Sequence, residues 1–122
     1  MLLILVVDDF EDARELYAES LEAAGFMVEQ AANGQEALDR IAARKPALVL
    51  MDLSMPVLDG WQATRLIKAD AGTADVFVIA LTGHGTHAGL RLATEAGADA
   101  ILSKPCAPAD VIAQVRALLR AA

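Results

Sequence analysis

A single cysteine, Cys106, stands in 122 residues. It excludes an intrachain disulfide framework and any metal site built from a cysteine cluster. Aromatic side chains make up only 4%, so Ala, Leu, Val and Ile must fill the core. Bases are scarce, 10 against 17 acids, for a formal net charge of −7. A nucleic-acid-binding domain of this size is normally basic, so direct DNA or RNA contact is disfavoured. Long apolar runs are missing as well. Leu2 to Val7 is far too short to span a bilayer, and it lacks a basic flank and ends in two acids, unlike an export signal. The expectation is a cytoplasmic protein with no membrane contact. Repeats, low-complexity segments and linkers are also missing. What the chain has is core material: 56% hydrophobic and 22% charged residues, which excludes a disordered chain. The length suits one domain, residues 1–122, able to bury roughly two-thirds of its unfolded surface.

Five apolar runs organise the sequence. Leu2 to Val7 has no alternation and stops at Asp8-Asp9, so it reads as a strand buried on both faces. Phe10 to Ala24 has helical spacing, with Leu16, Leu21 and Ala24 on one side and Gly25 as the stop. Phe26-Met27-Val28 opens a second strand. Asn33-Gly34 reads as a turn before a helix from Gln35 to Arg44, with Ala37, Leu38 and Ile41 inward. Ala47 to Met51 is a third strand ending at Asp52. Pro56 and Asp59-Gly60 mark a loop before a helix from about Trp61 to Ala69. Val76 to Leu81 is a fourth strand ending at Thr82-Gly83. A helix from about Thr86 to Ala96 stops at Gly97. Ala100 to Leu102 is a fifth strand ending at Ser103-Lys104-Pro105, and Pro108 sits near the first turn of a last helix running to about Arg120. Unalternated strands in regular βα succession predict a parallel sheet covered by helices on both faces.

Ligands in such sheets bind at the carboxyl ends of the strands. Asp8, Asp9, Asp52, Thr82 and Lys104 all stand there. Singly, each has an ordinary role: Asp9 as a helix N-cap, Asp52 as a turn acid, Thr82 as a turn hydroxyl, Lys104 as a solvated lysine. Five polar groups, each directly after an apolar strand, are much harder to explain that way. If the strand order is 2-1-3-4-5, Asp8, Asp9 and Asp52 share one pocket. Each carboxylate pair then costs roughly 4 kcal/mol at 4 Å and an effective dielectric near 20. Either one acid is protonated or a cation sits among them. A hard divalent cation with oxygen ligands fits best, and magnesium reaches from carboxylates to phosphate oxygens. The set suits a site that holds a phosphoryl group on a carboxylate nucleophile.

At these residues the chain resembles the receiver domains of two-component response regulators, the family of the chemotaxis response regulator. The motifs are Ile4-Leu5-Val6-Val7-Asp8-Asp9, Leu50-Met51-Asp52-Leu53-Ser54-Met55-Pro56, Asp59-Gly60, Ala80-Leu81-Thr82-Gly83, Gly97-Ala98 and Lys104-Pro105. In order and spacing they cover essentially the whole chain. The resemblance implies a doubly wound, five-stranded parallel α/β sheet of order 2-1-3-4-5 with five helices, flavodoxin-like. It implies that Asp52 takes a phosphoryl group from a sensor histidine kinase or a histidine phosphotransfer protein. Asp9 would bind Mg²⁺ (or Mn²⁺) directly and Asp8 through water, with Asp52 and the Ser54 backbone carbonyl completing the protein ligands. Thr82 would bond a phosphoryl oxygen, and Lys104 would pair with the phosphoryl group beside a cis peptide at Pro105. Gly83 would leave room for the donor. The product would be a switch acting on a downstream protein partner or output domain, usually through the fourth helix, fifth strand and fifth helix.

Two positions depart from the family pattern. Ile101 stands where an aromatic is frequent, so an aromatic rotamer switch is not available there. Cys106 replaces a large apolar residue, and packing is preferred over thiol reactivity. For His84 and His87, a loop or helix-start role is preferred over a metal pair. For Arg116 and Arg120, a solvated helix face is preferred over partner contact. Rival readings fare worse. A flavin carrier wants phosphate-binding hydroxyls after the first strand, where this chain has two acids. An aspartate-nucleophile phosphatase commonly has an acid two residues on, where this chain has Ser54. A degenerate receiver that only binds partners does not need the intact set. The expectation is a signalling switch with no external substrate, either stand-alone or part of a longer regulator or hybrid kinase.

Overall fold

A computed structural model describes residues 1–53, 59–83, 91 and 94–121. Five strands, β1 (Leu3–Val7), β2 (Met27–Ala31), β3 (Leu48–Asp52), β4 (Phe77–Thr82) and β5 (Ala100–Ser103), form one sheet of order β2-β1-β3-β4-β5. Every pairing is parallel. β1 and β3 are buried along their whole length, as unalternated apolar runs require.

The helices are α1 (Glu11–Ala23), α2 (Gly34–Ala43) and α3 (Gly60–Ala69), then α4, helical at 91 and 94–96, and α5 (Pro108–Ala121). Successive strand residues face opposite layers. Ile4 and Val6 pack with Leu21 of α1 and Val111 and Val115 of α5. Leu5 and Val7 pack with Ala37 and Ile41 of α2 and Ala63 and Ile67 of α3. The sheet is thus covered on both faces.

Gly25 and Gly97 adopt φ +101° and +99°, so these helix stops use the left-handed conformation that glycine accepts without strain. Three local expectations change. Asn33 is the N-cap of α2 rather than a turn residue, its side chain accepting from the Glu36 amide at 2.8 Å. Asp59 likewise caps α3, accepting from the Gln62 amide at 2.9 Å. On α1 the buried residues are Tyr17, Ala18 and Leu21, while Leu16 is 51% exposed. Helix side chains share a face at spacings of three or four, not at the five that separate Leu16 from Leu21.

Candidate functional site

The carboxyl ends of β1, β3, β4 and β5 meet at one edge of the sheet. Asp8 follows β1 and continues its pairing, its amide donating to the Ala31 carbonyl at 3.1 Å. The side chain is 1% exposed, and its Oδ1 accepts from the Phe10 amide at 2.9 Å. Arg14 braces the same turn: Nη1 donates to the Asp8 carbonyl and Nε to Gln30 Oε1, both at 3.1 Å. Asp9 is exposed. It is not a helix cap, because Phe10 is the N-cap of α1 and offers no side-chain bond. Asp52 is the last residue of β3 and is buried. Carboxylate oxygens of Asp8, Asp9 and Asp52 lie within 4.8 Å of one another.

Across the pocket, Thr82 closes β4 and is buried. Its carbonyl accepts from the Lys104 amide at 2.7 Å, which sets Lys104 directly beyond the end of β5. The Lys104–Pro105 peptide is cis. Lys104 Nζ lies 3.1 Å from Asp8 Oδ2 and 3.5 Å from Asp52 Oδ1. Burial alone would pull this ammonium's pKa down, but the carboxylates of Asp52 and Asp8 outweigh that and hold it above 10.5. Among the described residues, one ammonium faces three carboxylates, so acids outnumber bases in the pocket. Its donors are hard carboxylate oxygens, the chemistry that suits Mg²⁺ or Mn²⁺.

The site therefore brings together Asp8, Asp9, Asp52, Thr82 and Lys104. Ser54, His84 and His87 lie outside the described residues. Gly83 is exposed, and a Cβ there would meet open space among the described residues. Ile101 is half-buried in a small cluster with Leu53, Ala80, Trp61 and Ala98. Cys106 packs at the margin of the α1/α5 core, and burial raises its thiol pKa, as packing rather than reactivity requires. Arg116 and Arg120 are exposed. Three supports have no signature in the sequence. Arg14 is one. Tyr17 is another, its hydroxyl donating to the Cys106 carbonyl at 2.8 Å and tying α1 to the loop after Lys104. The third is Gly60, whose amide donates to the Leu53 carbonyl at 3.3 Å and whose α-carbon has the Asp52 carbonyl oxygen where a side chain would begin. The dipeptide Asp59-Gly60 signals a break, but not what the glycine must touch.

Residues 4–116 match the family model of the response regulator receiver domain. The chain belongs to that family. Receiver domains are signalling switches that work with histidine kinases and bind Mg²⁺ at an acidic pocket, and Asp8, Asp9 and Asp52 form an acidic cluster here. The receiver is 38% identical to the phosphate regulon transcriptional regulatory protein PhoB of Pseudomonas aeruginosa over 117 residues, 96% of this chain and 51% of that one. It is 40% identical to the response regulator MprA of Mycolicibacterium vanbaalenii, over 96% of this chain and 50% of that one. It spans about half the length of these curated relatives. Among solved structures, the signal receiver domain of a histidine kinase from Syntrophus aciditrophicus superposes with a TM-score of 0.94 at 30% identity, covering 99% and 92% of the two chains. The chemotaxis protein CheY4 of Vibrio cholerae gives 0.90 at 26%, covering 96% and 98%. The flavodoxin-like order 2-1-3-4-5 is thus that of the family. No helix among the described residues is long and apolar enough to cross a membrane.

Proposed function

We propose that Asp52 is the phosphoacceptor of this receiver, charged by a sensor histidine kinase or a histidine phosphotransfer protein. The observation that carries the reading is the meeting of two further carboxylates and one ammonium around the buried Asp52 at the strand ends. An Asp52 carboxylate oxygen forms the new P–O bond as the P–N bond of the donor phosphohistidine breaks, and that bond pair returns to the donor imidazole. Lys104, already 3.5 Å from Asp52 Oδ1, neutralises charge on the transferring group. Thr82 offers its hydroxyl to a phosphoryl oxygen. Asp8, Asp9 and Asp52, with the Ser54 backbone carbonyl, would hold Mg²⁺ (or Mn²⁺). That ion, when bound, offsets the repulsion between an anionic nucleophile and an anionic phosphoryl group.

Residues 1–122 act as one receiver, a switch that turns over no external substrate and slowly hydrolyses its own acyl phosphate. The added double negative charge changes the preference of a protein-interaction surface for a downstream partner or output domain. The net charge of −7 supports protein contact rather than direct nucleic-acid contact through this chain, in the cytoplasm. Incubation with phosphoramidate, a P–N donor, and Mg²⁺ tests the assignment. The expected product is a phosphoprotein cleaved by hydroxylamine, as acyl phosphates are, and absent in Asp52→Asn. A phosphoprotein that resists hydroxylamine, or one still formed by Asp52→Asn, would place the group elsewhere. No product from a folded protein favours the partner-binding module.

A further inference from the structure

α3 is pinned to the phosphoacceptor and at the same time poorly satisfied on its inner face. The pin is Gly60, the first residue of the helix. A Cβ there would collide with the Asp52 carbonyl oxygen and come within 2.8 Å of Leu53 Cα. The Gly60 amide also donates to the Leu53 carbonyl at 3.3 Å. Helix and Asp52–Leu53 peptide are therefore in backbone contact with no side chain between them, so one cannot shift without the other.

The poor satisfaction is at Trp61 and Thr64. Trp61 Nε1 and Thr64 Oγ1 are both buried and have no hydrogen-bond partner among the described residues. Buried polar atoms are nearly always paired, so two orphans three residues apart on one helix require an explanation. Thr64 is almost fully buried and its hydroxyl makes none of the local bonds that threonine usually makes in a helix. The Trp61 side chain packs against the Leu53 and Ala80 cluster, against which Ile101 also packs, and Ala80 pairs with Ile101 across β4 and β5, so this cluster links the residue after Asp52 to β5. The position of α3 with two unpaired donors is disfavoured relative to any small displacement that gives them acceptors. A packed element with a second available arrangement is what converts a small local change into a switch.

Resting on the reading of Asp52 as phosphoacceptor, we propose that α3 is a relay in which filling the Asp52 pocket displaces the Gly60 turn and Trp61 carries the shift, through Ala80, to Ile101 on β5. Ile101 then responds without a rotating aromatic of its own. Trp61 is a positioning residue in this scheme.

Trp61 is the single tryptophan, so its indole N–H gives one unambiguous NMR signal. The probes are Mg²⁺ with beryllium fluoride, an analogue of the phosphoryl group. The expected result is that the Leu53 amide, the Trp61 indole N–H and the Ile101 δ-methyl all shift together. In Trp61→Phe the Leu53 shift stays and the Ile101 shift falls to less than half. Thr64→Val, which keeps the side-chain shape and removes one orphan, is expected to fold at least as stably as the parent and to show a smaller indole shift. A Leu53 shift with an unmoved indole, or an undiminished Ile101 shift in Trp61→Phe, overturns the relay and leaves the phosphoacceptor reading standing. No shift at Leu53 overturns both.

Discussion

Lys104 stands 96 residues after Asp8, yet its ammonium lies 3.1 Å from Asp8 Oδ2. The contact closes the pocket from the β5 side and sets one ammonium against two buried carboxylates. Lys104→Met keeps the apolar stem and deletes the charge. Asp8 and Asp52 then lose this ionic contact, which is expected to lower the stability of the metal-free protein by about 1–3 kcal/mol, read from urea unfolding. The rate of phosphorylation by acetyl phosphate is expected to fall about 100-fold. A variant as stable and as reactive as the parent would remove Lys104 from the site.

Asp9 behaves differently, because it is exposed and caps nothing. Asp9→Asn removes one of three crowded like charges and is expected to leave the metal-free protein as stable or slightly more so. Magnesium at 100 times its dissociation constant is expected to stabilise the parent by about 2.7 kcal/mol, and this gain falls by more than half in the variant. Asp59→Ala, which removes a true N-cap bond to Gln62, costs about 1 kcal/mol with or without metal. Thermal unfolding with and without Mg²⁺ separates the two aspartates. A metal-free Asp9→Asn as impaired as Asp59→Ala would return Asp9 to a structural role.

Gly60 and Gly72 make a matched pair. At Gly60 a methyl group runs into backbone of Asp52 and Leu53, whereas at Gly72 it would meet only the Asp70 side chain at 3.4 Å. Gly60→Ala is expected to cost about 1–3 kcal/mol through overpacking and to slow phosphorylation. Gly72→Ala stays within about 0.5 kcal/mol of the parent. Equal stabilities for the two variants, by denaturant unfolding, would contradict the close approach of α3 to Asp52.

Tyr17 is the only tyrosine, so its ionisation is visible in the phenolate absorbance. Burial raises its pKa above 10.0, helped by Cys106 and Asp8 and opposed by Lys104. The folded protein holds the proton more tightly than the unfolded chain. The resulting stability is complete below pH 10.0 and is lost as the pH rises through the native value. Lys104, raised above 10.5 by its carboxylates despite burial, acts in the same direction at still higher pH. The phenol is expected to titrate later in the native protein than in urea. Tyr17→Phe loses the bond to the Cys106 carbonyl at a cost of about 1 kcal/mol. Coincident native and urea titrations would contradict the buried bond.

Much of this was legible from sequence because parallel strands announce themselves. Runs such as Leu3 to Val7 and Leu48 to Met51 must be buried on both faces, and the polar residue ending each one falls at the ligand edge. That logic located Asp8, Asp52, Thr82 and Lys104. It was weaker where one residue type serves two local structures. Asn33 and Asp59 read as turn residues because a cap and a turn use the same side-chain acceptor. Leu16 was misplaced because its apolar character outweighed its spacing from Leu21. The braces were illegible for another reason: Tyr17 to Cys106 spans 89 residues, and the fit of Gly60 against Asp52 depends on how α3 docks. Neither leaves a local pattern.

The central claim, that Asp52 accepts the phosphoryl group with help from a divalent cation, is tested most directly by intact mass. The protein is incubated with acetyl phosphate and Mg²⁺, beside an EDTA control and Asp52→Ala. The expected result is a gain of one phosphoryl mass in the parent alone, lost in both controls. No gain by a parent shown to be folded, or an equal gain in Asp52→Ala, would contradict it.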